Sequence, residues 1–314
     1  MKNLGLGYVK TSTVENFTTE SGIKIRRYMS PIVRKALKLA TKRTVYLESY
    51  PNLESNTPYI FASTHSFDED IIAALSIIDR NAYVLLGTTD QIDHNPQMYA
   101  AWLNGMIYVD RLDADSRKEA TKKMERILNS GTSVLLFPEG GWNNTENLLC
   151  QPLFAGPYIL AQKTKAKVVP IASFNEPNSN DIFIKVGEPM DFTGKEKKEA
   201  LRELRDSLAT MMFEHIEHHS TPIVRSQLGE DQHLDFMEVR RKEYMRVKWT
   251  RDVWDEELAF YHDKDQPLPI KIRESFDKVV ITRHNAYIMA PIIERRLEDE
   301  KYNFKIYMKK KTKQ

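Results

Sequence analysis

The sequence predicts an α/β fold, a central sheet flanked by helices. Two observations carry that expectation. Between about residues 58 and 220, short β-branched or aromatic runs alternate with segments of helical apolar spacing, the signature of a layered α/β domain. The chain of 314 residues is also long enough to bury a sizeable core. No internal repeat or low-complexity tract competes with this reading. The pattern divides the chain into a basic amphipathic segment (1–57), the α/β domain (58–220) and a mainly helical extension with a basic tail (221–314).

The elements follow in order. Residues 24–43, KIRRYMSPIVRKALKLATKR, are rich in Lys and Arg and contain no acid. Ile32, Val33, Ala36, Leu37 and Ala40 have helical spacing, so the segment reads as a helix packed on the domain or laid on a membrane surface. Strands are expected at 59–63, 82–87, 106–110, 133–137, 167–172 and 182–187, each bounded by turn residues. Ala120, Met124, Ile127 and Leu128 place one apolar face on a helix over 114–129, and Gly131 stands just past its end. A further helix runs through FAGPYILAQKTK, where Pro157 implies a late start or a kink. His215, His218 and His219 have a helical spacing that could ligate a metal, but they sit at a helix end, where histidine complements the dipole, and the dipole reading is preferred. Asp90, Asp93 and His94 read as loop polarity near a site entrance. MEVRRKEYMRVKWTRDVWDEELAFY then reads as a long charged helix, followed by a lysine-rich terminus.

Composition narrows the function classes. With 46 basic and 44 acidic residues, the net charge of +2 argues against a dedicated nucleic-acid binder. Cys150 is the only cysteine, so no intrachain disulfide forms, which suits a reducing compartment. No apolar run approaches the roughly 18 residues of a spanning helix, and the N-terminus lacks the apolar region of a signal peptide. The expected location is cytoplasmic, with peripheral attachment at the inner face of the membrane through the basic segments.

The chemistry centres on FASTHSFDEDI, residues 61–71. Ser66-x-x-Glu69 reads as a capping box at a helix start, which accounts for the acids nearby. Asp70 then lies one turn up on the cap's own face, within reach of His65 just before the cap. A carboxylate paired to one imidazole nitrogen fixes the tautomer and leaves the other nitrogen to take a proton. Cys150 has no neighbouring base in NLLCQP and reads as an apolar filler.

Three later stretches fall into step with this pair: NGMIYVDR (104–111), LLFPEGGWNN (135–144) and AKVVPIA (166–172). In order and spacing the chain resembles the lysophosphatidic acid acyltransferases, or glycerolipid acyltransferases, over roughly residues 58–190. His65-x4-Asp70 is similar to that family's first motif, Gly105 through Arg111 to its second, Phe137-Pro138-Glu139-Gly140 to its third and Val169-Pro170-Ile171 to its fourth.

The resemblance implies a mixed central sheet and an acyltransferase catalytic domain over 58–220. It implies transfer of a fatty acyl group from an acyl-thioester, acyl-CoA or acyl-carrier protein, to a hydroxyl of a lysophospholipid or related lipid. No cofactor and no metal is expected. His65 would deprotonate the acceptor and Asp70 would orient its ring. Arg111 and Glu139 would hold the acceptor, Arg111 as a phosphate cation; a salt bridge from Arg111 to Asp110 or Asp113 is the structural alternative. Amides at Gly140 and Gly141 would meet the oxyanion. The third motif usually continues Glu-Gly-Thr-Arg, whereas here Trp142 replaces the arginine, which points to a sugar-bearing or other non-phosphate acceptor. A non-catalytic lipid-binding role is the alternative from another class, opposed by His65, Asp70 and Glu139 occurring together.

Overall fold

The computed structural model describes residues 12–220 except 42, 68, 88–100, 112, 144–148 and 177–178. The chain divides into two units, Met1–Asp265 and Gln266–Gln314, and every described residue lies in the first. The loop with Asp90, Asp93 and His94, the long charged helix and the lysine-rich terminus lie outside the described residues.

Two helices come first, α1 (Val14–Phe17) and α2 (Glu20–Ala40). β1 (Thr44–Ser49), β2 (Tyr59–Ser63), α3 (Asp70–Ile77), β3 (Ala82–Leu86) and β4 (Met106–Tyr108) follow. The chain continues through α4 (Ala114–Asn129), β5 (Ser133–Leu136), α5 (Gly156–Thr164), β6 (Lys167–Phe174), β7 (Asp181–Val186) and α6 (Lys197–His219). The strands form one mixed sheet of seven in the order β1-β7-β6-β2-β5-β3-β4. All neighbours are parallel except β6 and β7. The expected mixed sheet with flanking helices is therefore present.

Strand alternation assigns side chains to two cores. Ile60, Ala62, Val134, Leu136, Val168 and Ala172 join α4, α5 and α6 on one face. Tyr59, Phe61, Leu135, Val169 and Ile171 join α2 and α3 on the other. Helix ends obey local chemistry: the Asp113 carboxylate accepts from the amides of Asp115 and Ser116 to start α4. Gly131, at φ +79°, supplies the left-handed turn after its end. Pro157 stands in the first turn of α5, so that helix starts late rather than kinking.

The basic segment is a domain helix with two apolar stripes. Val33 and Leu37 of α2 are buried, while Arg34 donates to the Ile78 carbonyl at 3.0 Å. Burying a leucine such as Leu37 contributes about 1.5–3 kcal/mol, enough to hold the helix on the sheet. Ile25, Tyr28, Ile32 and Leu39 form a second stripe that stays exposed, Tyr28 and Leu39 by 81% and 80%. No helix among the described residues is long and apolar enough to cross a membrane.

The sheet begins before the expected α/β boundary, because β1 pairs in parallel with β7 from Thr44. This strand has no alternating buried face, only Val45 being partly covered. At the other end, His215 of α6 is fully buried and its Nε2 lies 3.2 Å from the Ala172 carbonyl. Burial pushes its pKa down to about 4, against the opposing pull of the Glu48 carboxylate, so the ring is neutral near pH 7.

Candidate active site

The parallel run β2-β5-β3-β4 sends its loops to one edge of the sheet, the carboxyl end where open α/β sheets build their sites. His65 lies two residues past β2, Phe137 to Trp142 follow β5, and Arg111 follows β4. The loops meet there through backbone bonds as well as side chains.

His65 and Asp70 are joined as expected. Nδ1 of His65 is 2.9 and 3.0 Å from the two Asp70 carboxylate oxygens. A carboxylate accepts only, so Nδ1 carries the proton and Nε2 the lone pair. Asp70 is fully buried, whereas the His65 side chain keeps 15% of its surface exposed. The pair thus consists of a sealed acid and a ring that reaches the surface. The ring lies between Phe137, 4.6 Å away by centroid, and the edge-on indole of Trp142 at 6.0 Å.

The local turn differs from the capping box that the sequence suggests. The helix starts at Asp70, with Glu69 as its cap residue and no side-chain cap bond. Instead Asp70 reaches back, one oxygen accepting the amides of Ser66 at 2.8 Å and Phe67 at 3.2 Å. Phe67 is fully buried, and pulling it into the core folds those amides toward the carboxylate. One charged group therefore closes the turn and orients the histidine.

Glu139, expected to hold the acceptor, sits among the loops that carry His65. It is fully buried, with one oxygen accepting the His65 amide at 3.2 Å and the other the Gln151 amide at 2.7 Å. Both carboxylate oxygens thus tie neighbouring loops together. Asn143 adds the reciprocal bond, its amide donating to the His65 carbonyl at 2.6 Å. The backbone of His65 is thereby held from both sides.

Gly140 is likewise engaged within the loop. Its amide, expected to face the oxyanion, donates to the Phe137 carbonyl at 2.9 Å, and its φ of +77° suits glycine. Its carbonyl accepts from Arg111 Nη1 at 2.6 Å. Arg111 thus braces the Glu139-Gly140-Gly141 turn, and Asp113, one of the two salt-bridge alternatives, has its carboxylate on amides at the start of α4. Gly141 and Trp142 are partly exposed at the same turn, and the Trp142 carbonyl accepts from the Gln151 side chain at 2.9 Å. Cys150 is buried in the core, as an apolar filler should be.

Sequence reasoning missed Gln151 and Gly87. Gln151 ties Glu139 to Trp142, a link between loops that no local pattern announces. A Cβ at Gly87 would come within 2.9 Å of the Arg111 Cδ and Nε, so this glycine opens the path of the arginine. The requirement at Gly105 was visible as part of a motif: its φ is +122°, and a Cβ there would lie 2.5 Å from the Tyr83 ring.

Comparison with known proteins agrees with this geometry. Residues 44–173, from β1 into β6, match the family model described as Acyltransferase. A 1-acyl-sn-glycerol-3-phosphate acyltransferase, chloroplastic BAT2 of Brassica napus, is 30% identical over 125 residues, covering 40% of this chain and 35% of that protein. Chloroplastic LPAT1 of Arabidopsis thaliana, named for the same activity, is 29% identical over 125 residues, covering 40% and 33%. The chain thus spans about a third of the length of these relatives. The crystal structure of the 1-acyl-sn-glycerophosphate acyltransferase PlsC from Thermotoga maritima superposes with a TM-score of 0.51 at 17% identity, over 70% of this chain and 90% of that one. At that identity the likeness is one of fold. Matched segment, relatives and fold agree: residues 44–173 match the Acyltransferase family model and resemble the 1-acyl-sn-glycerol-3-phosphate acyltransferases, and the chain shares the fold of PlsC.

Proposed function

We propose that this protein transfers a fatty acyl group from an acyl-thioester to the hydroxyl of a lysophospholipid or related lipid, with Nε2 of His65 as the general base. The observation that carries the reading is the buried Asp70 carboxylate on Nδ1 of a partly exposed ring. An acceptor hydroxyl gives its proton to Nε2 while its oxygen attacks the thioester carbonyl. The tetrahedral intermediate collapses with release of the thiolate of coenzyme A or of an acyl carrier protein. Asp70 stabilises the imidazolium that forms, and no covalent acyl-enzyme is needed. The test is incubation of the full chain with radiolabelled acyl-CoA and acyl-carrier protein, each offered with a panel of lysolipids and glycolipids. Thioester consumption without any acylated lipid would rule the reading out.

Within acyl transfer, Trp142 favours an acceptor without a phosphomonoester. The indole stands beside the base, where it offers a flat apolar face in place of a second cation. Lysophosphatidic acid is then expected to be a poor acceptor, and Trp142→Arg to shift preference toward it by about one to three kcal/mol, the scale of one charge-assisted hydrogen bond. The ratio of specificity constants for phosphorylated and neutral acceptors, measured in both proteins, decides this. Strong preference of the unaltered protein for lysophosphatidic acid would reduce Trp142 to a packing residue.

The exposed stripe of α2 supports attachment to an anionic lipid surface, apolar residues entering the interface beside lysines and arginines. Co-sedimentation with anionic vesicles is expected, weakened by Tyr28→Glu combined with Ile32→Glu. Equal sedimentation of the variant would show that α2 is not the contact.

A further inference from the structure

At the edge of the sheet opposite β4, a second cluster of ligating side chains lies apart from the acyl-transfer loops. β7 and β6 separate its strand, β1, from β2. Glu48 of β1 meets His215 and His219, which are one helical turn apart at the end of α6. One ligand atom from each of the three lies within 4.8 Å of the others. Glu48 Oε2 is 3.3 Å from His215 Nδ1, and Glu48 Oε1 is in contact with His219 Nε2.

The tautomer of His215 makes this contact informative. A carbonyl only accepts, so Nε2, facing the Ala172 carbonyl, carries the ring proton. In the neutral ring Nδ1 is then a lone pair, and this buried atom has no hydrogen-bond partner among the described residues. Its neighbour is the Glu48 carboxylate, also an electron-pair donor. Two such donors facing each other at the edge of the core repel unless a cation stands between them.

We infer that Glu48, His215 and His219 bind one divalent transition-metal ion, Zn2+ foremost. Two imidazoles and one carboxylate are a common zinc donor set, and bonds of about 2.0–2.2 Å in tetrahedral array put ligand atoms about 3.3–3.5 Å apart. The separation of Glu48 and His215 has that size. The supporting groups suit the assignment as well. The Ala172 carbonyl fixes the His215 tautomer, as carbonyls do behind metal-bound imidazoles. The Phe183 ring stacks on His219 at a centroid distance of 3.5 Å and fixes its plane.

Lys185 opposes a cation here, with Nζ 3.8 Å from Glu48 Oε2. It is closer to Glu214, at 2.8 Å, so that pair cancels and Glu48 leaves the cluster with one net negative charge. The added ion turns this to one net positive charge, a modest imbalance at a half-exposed edge. The ion clips the last turn of α6 to an edge strand that has little apolar burial of its own. His218, exposed on the neighbouring side of the helix, is outside the donor set.

The test uses the full chain, stripped with a chelator and titrated with Zn2+ against a chromophoric competitor. One equivalent is expected to bind, and Co2+ in its place to give the d–d absorption of a low-coordinate nitrogen and oxygen site. Glu48→Gln and His219→Ala, both at the surface, are each expected to weaken binding at least about 100-fold, and His218→Ala to leave it unchanged. Zn2+ should also raise the melting temperature of the unaltered protein and not of those two variants. Wild-type affinity in both Glu48→Gln and His219→Ala, or no stoichiometric binding to the unaltered chain, overturns the assignment. Neither result touches the acyl-transfer reading, which rests on other residues.

Discussion

His65→Ala is expected to lower turnover by about two to four orders of magnitude, the usual loss when a general base is removed, with the fold retained. The fold survives because the anchors of this segment do not use the ring. The His65 amide and carbonyl are held by Glu139 and Asn143. Asp70 keeps the amides of Ser66 and Phe67 as partners for its buried charge. Contact between the ring and Phe137 is lost, a small cost at a site that reaches the surface. Initial rates with saturating thioester, together with circular dichroism and a melting curve, separate the two effects. A variant that stays folded and keeps near-full activity would remove His65 from the mechanism. A variant that unfolds would make His65 a structural residue.

The second large effect is expected from Asp70→Asn, a comparable fall in kcat with KM for the acceptor nearly unchanged. The geometry of Asp70 gives the reason. Its carboxylate serves the His65 Nδ1–H and two backbone amides, all of them donors. An asparagine has one oxygen and one NH2 group. Keeping the oxygen on the Ser66 and Phe67 amides turns the NH2 toward Nδ1, which must then accept. The ring proton moves to Nε2, the atom needed to take the acceptor's proton, and the histidine is in the wrong tautomer. Turning the amide the other way sets NH2 against backbone N–H groups and loosens the turn, costing about 1–3 kcal/mol. Steady-state kinetics beside a melting curve distinguishes the outcomes. Loss of acceptor affinity at unchanged kcat would make Asp70 a binding residue and contradict its role on the imidazole.

Strands were legible where side chains are buried, at every position in β2 and β5 and at alternate positions in β7. YIFAS and SVLL are continuous apolar or small runs because helices cover both sides of the central strands. β1 escaped notice for the opposite reason. TVYLES lies on an edge with most of its side chains exposed, and a strand without a buried face leaves no alternation to read. The helix over 114–129 was legible because its apolar face and closing glycine are both local, and the structure adds the Asp113 cap.

The same division holds at the site. The sequence by itself indicated that a histidine and an acid meet at a strand end, because five positions of chain are short enough for the carboxylate to reach the ring. It also determined where glycines must stand, since left-handed backbone at Gly105 and Gly140 is a local demand. Only the tertiary structure decided what Glu139 and Arg111 touch. A carboxylate or a guanidinium in a motif is compatible with substrate, solvent or backbone, and burial within the assembled loops chose backbone amides for Glu139 and the Gly140 carbonyl for Arg111. It alone brought Glu48 to His215 and His219, because long-range pairing of β1 with β7 under the end of α6 leaves no trace in sequence spacing.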